Sequence, residues 1–215
     1  QAPRPAPGQF ELLAADVGQG NAVIVRTARH TLVYDAGPRY SLESDAGHRV
    51  LVPLLRALGE RVDMLVLSHR DSDHTGGARA VLAMHRGATL LSSIEEGHEL
   101  QGARTAMRCQ AGQRWTWDGV DFSVLHPLPA DYAAPAKPNA LSCVLRVQAG
   151  DASALLAGDI EAPQEQVLLA RGADLAADVL LVPHHGSRTS SSLAFVQAVS
   201  PRWALVQAGY RNRFG

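Results

Sequence analysis

Four metal-ligating side chains fall within six consecutive residues, His69-Arg70-Asp71-Ser72-Asp73-His74, directly after a short apolar run, Asp63-Met64-Leu65-Val66-Leu67. The run is apolar on both faces, which is the pattern of a buried strand. Histidine and carboxylate side chains at alternate positions of an extended loop can converge on one point, and the adjacent Asp73 and His74 can turn toward a second. Gly76 and Gly77 then let the backbone turn closely into a helix. A solvated loop in which Asp73 or Thr75 merely caps that helix is the plainer alternative. It does not account for so many ligand-type residues placed directly behind a buried strand. The chain must therefore build a core that ends at a cluster of charges, and such a cluster is stable only when cations or protons neutralise it.

The rest of the pattern is strand-rich. Phe10 to Val17, Asn21 to Thr27 and Thr31 to Asp35 read as an antiparallel meander. Val50 to Leu58 and Gly76 to Met84 have helical spacing, and Ala88 to Leu91 reads as a strand. Hairpins are expected around Asp118-Gly119 and Gly150-Asp151. The last third runs helix Glu161 to Ala170, strand Asp178 to Val182, helix Ser191 to Val199 and strand Trp203 to Gln207. Two strand-rich halves that each carry helices predict an α/β (α+β) fold, with a two-sheet core covered outside by helices. With 215 residues and 46% hydrophobic composition, one domain suffices. Its expected extent is 9–215, after a Pro-rich linker over 1–8 that joins it to something larger. No apolar run is long enough to span a membrane. A net charge of −1 excludes a generally basic coat for nucleic acid, so a nucleic-acid partner would have to be held by local patches and metal.

Two further segments bring ligand-type residues to strand ends. Leu155-Leu156-Ala157-Gly158-Asp159 delivers one carboxylate, and Leu180-Leu181-Val182-Pro183-His184-His185-Gly186-Ser187 delivers two imidazoles. Each is weak alone, since a lone Asp often caps the next helix and paired loop histidines are commonly solvated. Three strands that all end in His or Asp are more telling, because one sheet edge would gather them. Cys109 and Cys143 lack zinc-site spacing and are either one disulfide or two buried thiols.

The pattern His69-x-Asp71-x-Asp73-His74 resembles the metal-binding signature of the metallo-β-lactamase fold family, in the form with aspartate as its second ligand. Asp35-Ala36-Gly37 and Gly158-Asp159 look like that family's early Asp-x-Gly motif and its metal-bridging aspartate. More narrowly, the chain is similar to the C-terminal domain of the ComEC family of competence proteins. That match rests on Asp16-Val17-Gly18-Gln19-Gly20-Asn21-Ala22, Ser68 to His74, Asn139-Ala140-Leu141-Ser142-Cys143, Gly158-Asp159 and Pro183 to Ser187. The resemblance implies an αββα sandwich of two mixed sheets with outer helices. It implies two divalent ions, Mn²⁺ or Zn²⁺, that activate water and clamp a phosphodiester of DNA. It also implies a monomeric domain of a membrane channel protein, on the periplasmic face of the bacterial inner membrane, degrading the strand that is not imported.

Carried over by position, His69, Asp71 and His184 look like ligands of one ion, Asp73 and His74 like ligands of the other, and Asp159 like the bridge. Asp73 would also orient the nucleophile, and His185 would face the scissile phosphate or leaving group, with the reverse order of the two histidines as the alternative. Asn139, Ser142, Ser187 and Arg188 are the expected contacts to DNA phosphates, with Arg211 and Arg213 adding positive charge. Two features depart from the family. No Gly-His-Ser/Thr motif stands between the first cluster and Asp159, where the only histidines are His85, His98 and His126. The family's final Gly-His-Pro turn is also missing, which leaves the second metal site short of a ligand. A hydrolase of small esters, lactones or phosphodiesters, and a non-catalytic DNA- or partner-binding scaffold, are the competing readings.

Overall fold

The computed structural model describes residues 3–210. The first sheet is assembled from β1 (Glu11–Ala14), β2 (Val23–Arg26) and β3 (Thr31–Tyr34). After a small ribbon of β4 (Arg39–Ser41) and β5 (Ser44–Asp45) come a wide helical turn (Gly47–Leu51), α1 (Val52–Leu58) and β6 (Met64–Leu67). The one-turn α2 (Ser72–Thr75) and α3 (Ala78–Met84) precede β7 (Thr89–Ser92) and β8 (Ala106–Arg108). The order across this sheet is β1-β2-β3-β6-β7-β8. The second sheet takes β9 (Arg114–Trp117), β10 (Val120–His126), β11 (Val144–Ala149) and β12 (Ala152–Leu156). It is completed by α4 (Ala162–Ala170), β13 (Val179–Leu181), α5 (Leu193–Val199) and β14 (Trp203–Leu205), with sheet order β14-β13-β12-β11-β10-β9.

Both sheets are mixed, and alternation along their strands explains the four-layer stack. Val23, Val25, Leu32, Tyr34 and Val66 face the second sheet and meet Phe122, Leu145, Val147, Leu156 and Leu181. Their neighbours Ile24, Val33, Leu65 and Leu67 face outward onto Leu51, Leu55, Val81 and Leu82. On the far side, Val144, Leu155 and Leu180 pack against Leu168, Phe195 and Val199 of the last two helices. Strands buried on both faces must be apolar throughout, hence the continuous runs in the sequence. The αββα sandwich predicted above is the observed fold.

Two local features differ from the sequence-based expectations. The ribbon β4–β5 and the edge strand β8 carry almost no apolar pattern, and both are largely exposed. The Pro-rich start does not run free: Arg4 bonds the Thr27 carbonyl at 3.1 Å and Thr31 Oγ1 at 2.7 Å and pairs with Glu60, and the Gly8 N–H donates to the Asp118 carbonyl at 2.7 Å. Trp115 and Trp117, alternating on their hairpin strand, pack on Phe122 and His30 respectively. Arg211 and Arg213 lie outside the described residues. Cys109 and Cys143 are bridged, with Cα atoms 6.1 Å apart.

Candidate metal centre

Four parallel strands, β3 and β6 in one sheet and β12 and β13 in the other, all end at the same edge of the sandwich. Asp35 follows β3, Ser68 and His69 follow β6, Asp159 follows β12, and the histidine pair follows β13. The two sheets are tied together at this edge. The Tyr34 hydroxyl donates to the Cys143 carbonyl at 2.6 Å, and the Cys143 N–H donates to the Ser68 carbonyl at 2.8 Å.

The sequence-expected ligands converge here. His74 Nε2 lies 3.2 Å from Asp159 Oδ1 and 3.9 Å from Asp73 Oδ1. His69 Nε2 lies 3.5 Å from Asp71 Oδ2, and the His69 and His74 rings are 4.2 Å apart. Two overlapping sets of donor atoms lie within 4.8 Å of one another, His69 with His74 and Asp159, and Asp73 with His74 and His185. The ring that enters is thus His185, and this reverses the order expected for the pair. Its Nε2 is 3.3 Å from Asp73 and 3.6 Å from Asp159, whereas His184 Nε2 stands 4.0 Å from Asp159 on the more open side, with Nδ1 beside Thr189 and Glu161. Both residues have positive φ, 50° and 54°, and this left-handed pair swings the second ring inward.

The candidate ligands are held from behind. Asp35 is fully buried, sits 2.7 Å from His74 Nδ1, and accepts from the Ser68 N–H at 2.7 Å and the Ser68 hydroxyl at 2.8 Å. His185 Nδ1 donates to the Gln207 carbonyl at 2.9 Å. Each contact fixes the ring and leaves Nε2 aimed at the cluster, the arrangement by which carboxylates and carbonyls orient metal-binding histidines. Ser142, expected to meet DNA, is fully buried. Its hydroxyl instead accepts from the Asp159 N–H at 3.1 Å and lies 3.4 Å from His69 Nδ1, so it positions two candidate ligands and is closed off from the surface. Ser187 is also buried, against Thr189 at 3.1 Å. Asn139 reaches His184 Nε2 at 3.4 Å, and Arg188 is exposed on the loop. Of the four expected phosphate contacts, only Asn139 and Arg188 remain accessible to a substrate. His126, the histidine nearest the missing motif in sequence, is buried with Nε2 2.8 Å from the Ala140 carbonyl and serves the fold.

Electrostatics and unmet hydrogen bonds both call for a cation. His69 Nε2, His74 Nε2 and Asp159 Oδ1 are buried without a hydrogen-bond partner. Such groups are costly to leave unpaired. Burial pushes the Asp73 carboxyl up, but His185 and His74 outweigh it and hold it at about 2. Burial likewise opposes ionisation of Asp159, and His74 overcomes it, so Asp159 stays well below the usual carboxylate range. His74 is pushed the other way: burial favours the neutral ring, and the Asp159 and Asp35 charges prevail and raise it. The donor set of imidazoles and carboxylates fits divalent ions of the zinc and manganese kind.

The sequence from residue 15 to 209 matches the profile of the metallo-β-lactamase superfamily, and the chain belongs to that superfamily. Within it, the relatives place the chain among metallo-hydrolase domains of the ComEC competence type. It is 43% identical over 201 residues to Competence protein ComA of Neisseria gonorrhoeae, covering 93% of this chain and 27% of that protein. It is 32% identical over 230 residues to ComE operon protein 3 of Bacillus subtilis, covering 96% of this chain and 29% of that protein. The chain therefore spans about a quarter of the length of the curated relatives it matches. Among solved structures, the metallo-β-lactamase fold protein YhfI of Bacillus subtilis aligns with a TM-score of 0.58 at 14% identity, over 92% of this chain and 86% of that one. The diiron β-hydroxylase CmlA of Streptomyces venezuelae aligns at 0.60 and 18% identity, over 93% of this chain and 45% of that one. At such identities these two establish the shared fold alone. Among the described residues no helix is long and apolar enough to cross a membrane.

Proposed function

We propose that this chain is the nuclease domain of a DNA-uptake channel protein, hydrolysing phosphodiesters of incoming DNA on the periplasmic side and degrading the strand that is not transported. The observation that carries the reading is the convergence of His69, His74, His185, Asp73 and Asp159 at one buried edge, in a chain that aligns with competence proteins over nine-tenths of its length. His69 and Asp71 would hold one divalent ion, Asp73, His74 and His185 the other, and Asp159 would stand between them. Bound there, Mn²⁺ or Zn²⁺ would supply a nucleophile at neutral pH and offset the charge of the phosphate. Asp71, Asp73 and Asp159 make the set oxygen-rich, which favours Mn²⁺ alongside Zn²⁺.

The protein's own groups do the rest. Asp73, ionised far below neutrality and held by His185, can orient an attacking water. His184, on the open side and next to Asn139, faces the space a leaving group would occupy. The test is cleavage of end-labelled linear duplex DNA by metal-stripped protein resupplied with Mn²⁺, Zn²⁺ or Mg²⁺, with a small phosphodiester run in parallel. Metal-dependent loss of DNA supports the nuclease reading. Turnover of the small diester without cleavage of DNA would replace it with a generic hydrolase, and silence on both substrates would favour a binding scaffold.

A further inference from the structure

Beside the His69 ring opens a cavity of about 340 Å³, whose walls include Arg70, Glu95, Arg108, Tyr132, Pro138 and Leu141. None of these is used by the metal centre. Arg70 belongs to the ligand loop itself, between His69 and Asp71, and its guanidinium donates to Glu95 at 2.8 Å. Arg108, at the end of β8, lies with its guanidinium carbon 5.0 Å from the centre of the Tyr132 ring and pairs with Glu96 at 3.3 Å. The Tyr132 hydroxyl donates to the Cys109 carbonyl at 2.6 Å, which fixes the ring.

Each part restricts the ligand. Both ion pairs are exposed, with side-chain exposures of 48% and 49% for Arg70 and Glu95 and 45% and 91% for Arg108 and Glu96. Such pairs are weak, so an incoming anion can take the arginines from their carboxylates at little cost. A guanidinium held within cation–π distance of a fixed phenol ring makes, with that ring, a polarisable surface suited to a planar group. Pro138 and Leu141 supply an apolar wall. An anion joined to a planar ring, running up to the metal ligand His69, describes a nucleotide. The volume is at the small end of ligand pockets, about 300–1,000 Å³, so it admits one nucleotide and excludes a base-paired segment.

We infer that this cavity binds the nucleotide next to the scissile phosphate, with its base unpaired against the Arg108–Tyr132 pair and its outer phosphate on Arg70. The inference rests on the nuclease reading above and adds to it that the cleaved strand enters this subsite single-stranded. Glu95 and Glu96 act as place-holders that the substrate displaces.

The experiment compares Mn²⁺-dependent hydrolysis of a single-stranded oligonucleotide with that of bis(p-nitrophenyl) phosphate, which has neither a nucleobase nor a second phosphate. Arg108→Ala should raise KM for the oligonucleotide roughly tenfold, the scale of one lost base stack, and leave turnover of the small diester within twofold. Arg108→Lys, which keeps the charge and loses the plane, should recover only part of that loss. Glu95→Gln, which frees Arg70, should lower KM. Equal losses on both substrates, or an unchanged oligonucleotide KM in Arg108→Ala, would overturn the subsite while leaving the nuclease standing. If neither substrate is hydrolysed, the nuclease reading fails, and binding of thymidine 5′-monophosphate followed by NMR decides the subsite. Saturable shifts that vanish in Arg108→Ala support it, and no binding to the unmodified protein overturns it.

Discussion

A histidine holds a metal well only when its other ring nitrogen is fixed, and here both fixing groups escape a motif search. Asp35 serves His74, and the backbone carbonyl of Gln207 serves His185. The first was visible as an Asp-Ala-Gly after a strand, although its task depends on a contact 39 residues away. The second carries no side-chain signal at all. Asp35→Asn should lower divalent-metal affinity by roughly 10–100-fold, read by calorimetric titration, with far-UV circular dichroism confirming that the fold persists. Asp73→Ala should abolish metal-dependent hydrolysis while leaving the fold intact, because Asp73 is partly exposed and packs no core; unchanged turnover would remove it from the site. The order of His184 and His185 was beyond sequence reasoning for a physical reason. Which ring turns inward is decided by two successive left-handed residues, a conformation that only the neighbouring Gly186 hints at.

At the scale of elements, apolar runs located the strands, and their polar C-terminal ends located the site. Strands β6, β12 and β13 were readable because their buried ends are apolar and a His or Asp follows within three residues. Ser142 was misread for the same reason in reverse: a serine at a strand start looks like a surface contact until the second sheet closes over it. What brings the ligand loop against the first sheet is backbone packed on backbone. A Cβ on Gly77 would come within 2.3 Å of both the Ala36 carbonyl oxygen and the Gly47 nitrogen, and one on Gly20 within 2.3 Å of the Asp73 carbonyl oxygen. Gly77→Ala must push α3 away from the first sheet. It should cost about 1–3 kcal/mol of stability, measured by urea unfolding, and should weaken metal binding together with stability. A variant as stable as the parent would show that this approach is not tight.

The whole molecule rests on three apolar layers, and a buried charge network closes the end of the sandwich away from the candidate metal centre. Arg26 and Glu60 are almost wholly buried and bond at 2.8 Å, with Arg4 also on Glu60 and Glu11 also on Arg26. Burial pushes the Glu60 carboxyl up, but hydrogen bonds from Thr31, Arg4 and Arg26 outweigh it, and the net result lies below the ordinary value of 4.5. A carboxyl lowered on folding adds stability that is fully present above that ordinary value and is lost as pH falls through the folded one. Urea midpoints should therefore drop below about pH 4.5. Glu60→Gln should remove roughly 3 kcal/mol at pH 7 by leaving Arg26 without this carboxylate, and it should flatten the acid limb. An acid limb unchanged in that variant would assign the pH dependence to other groups. This network also explains why the Pro-rich start is not a free tether, since Arg4 completes it, a pairing across 56 residues that composition does not reveal.

Whether the gathered imidazoles and carboxylates are a metal centre entered by His185 is decided by metal content after dialysis against Mn²⁺ or Zn²⁺, determined by plasma mass spectrometry for the parent protein, His185→Ala and His184→Ala. Bound metal in the parent, lost or sharply reduced in His185→Ala and retained in His184→Ala, is the expected result. A parent that emerges metal-free, or a loss in His184→Ala with full retention in His185→Ala, would contradict it.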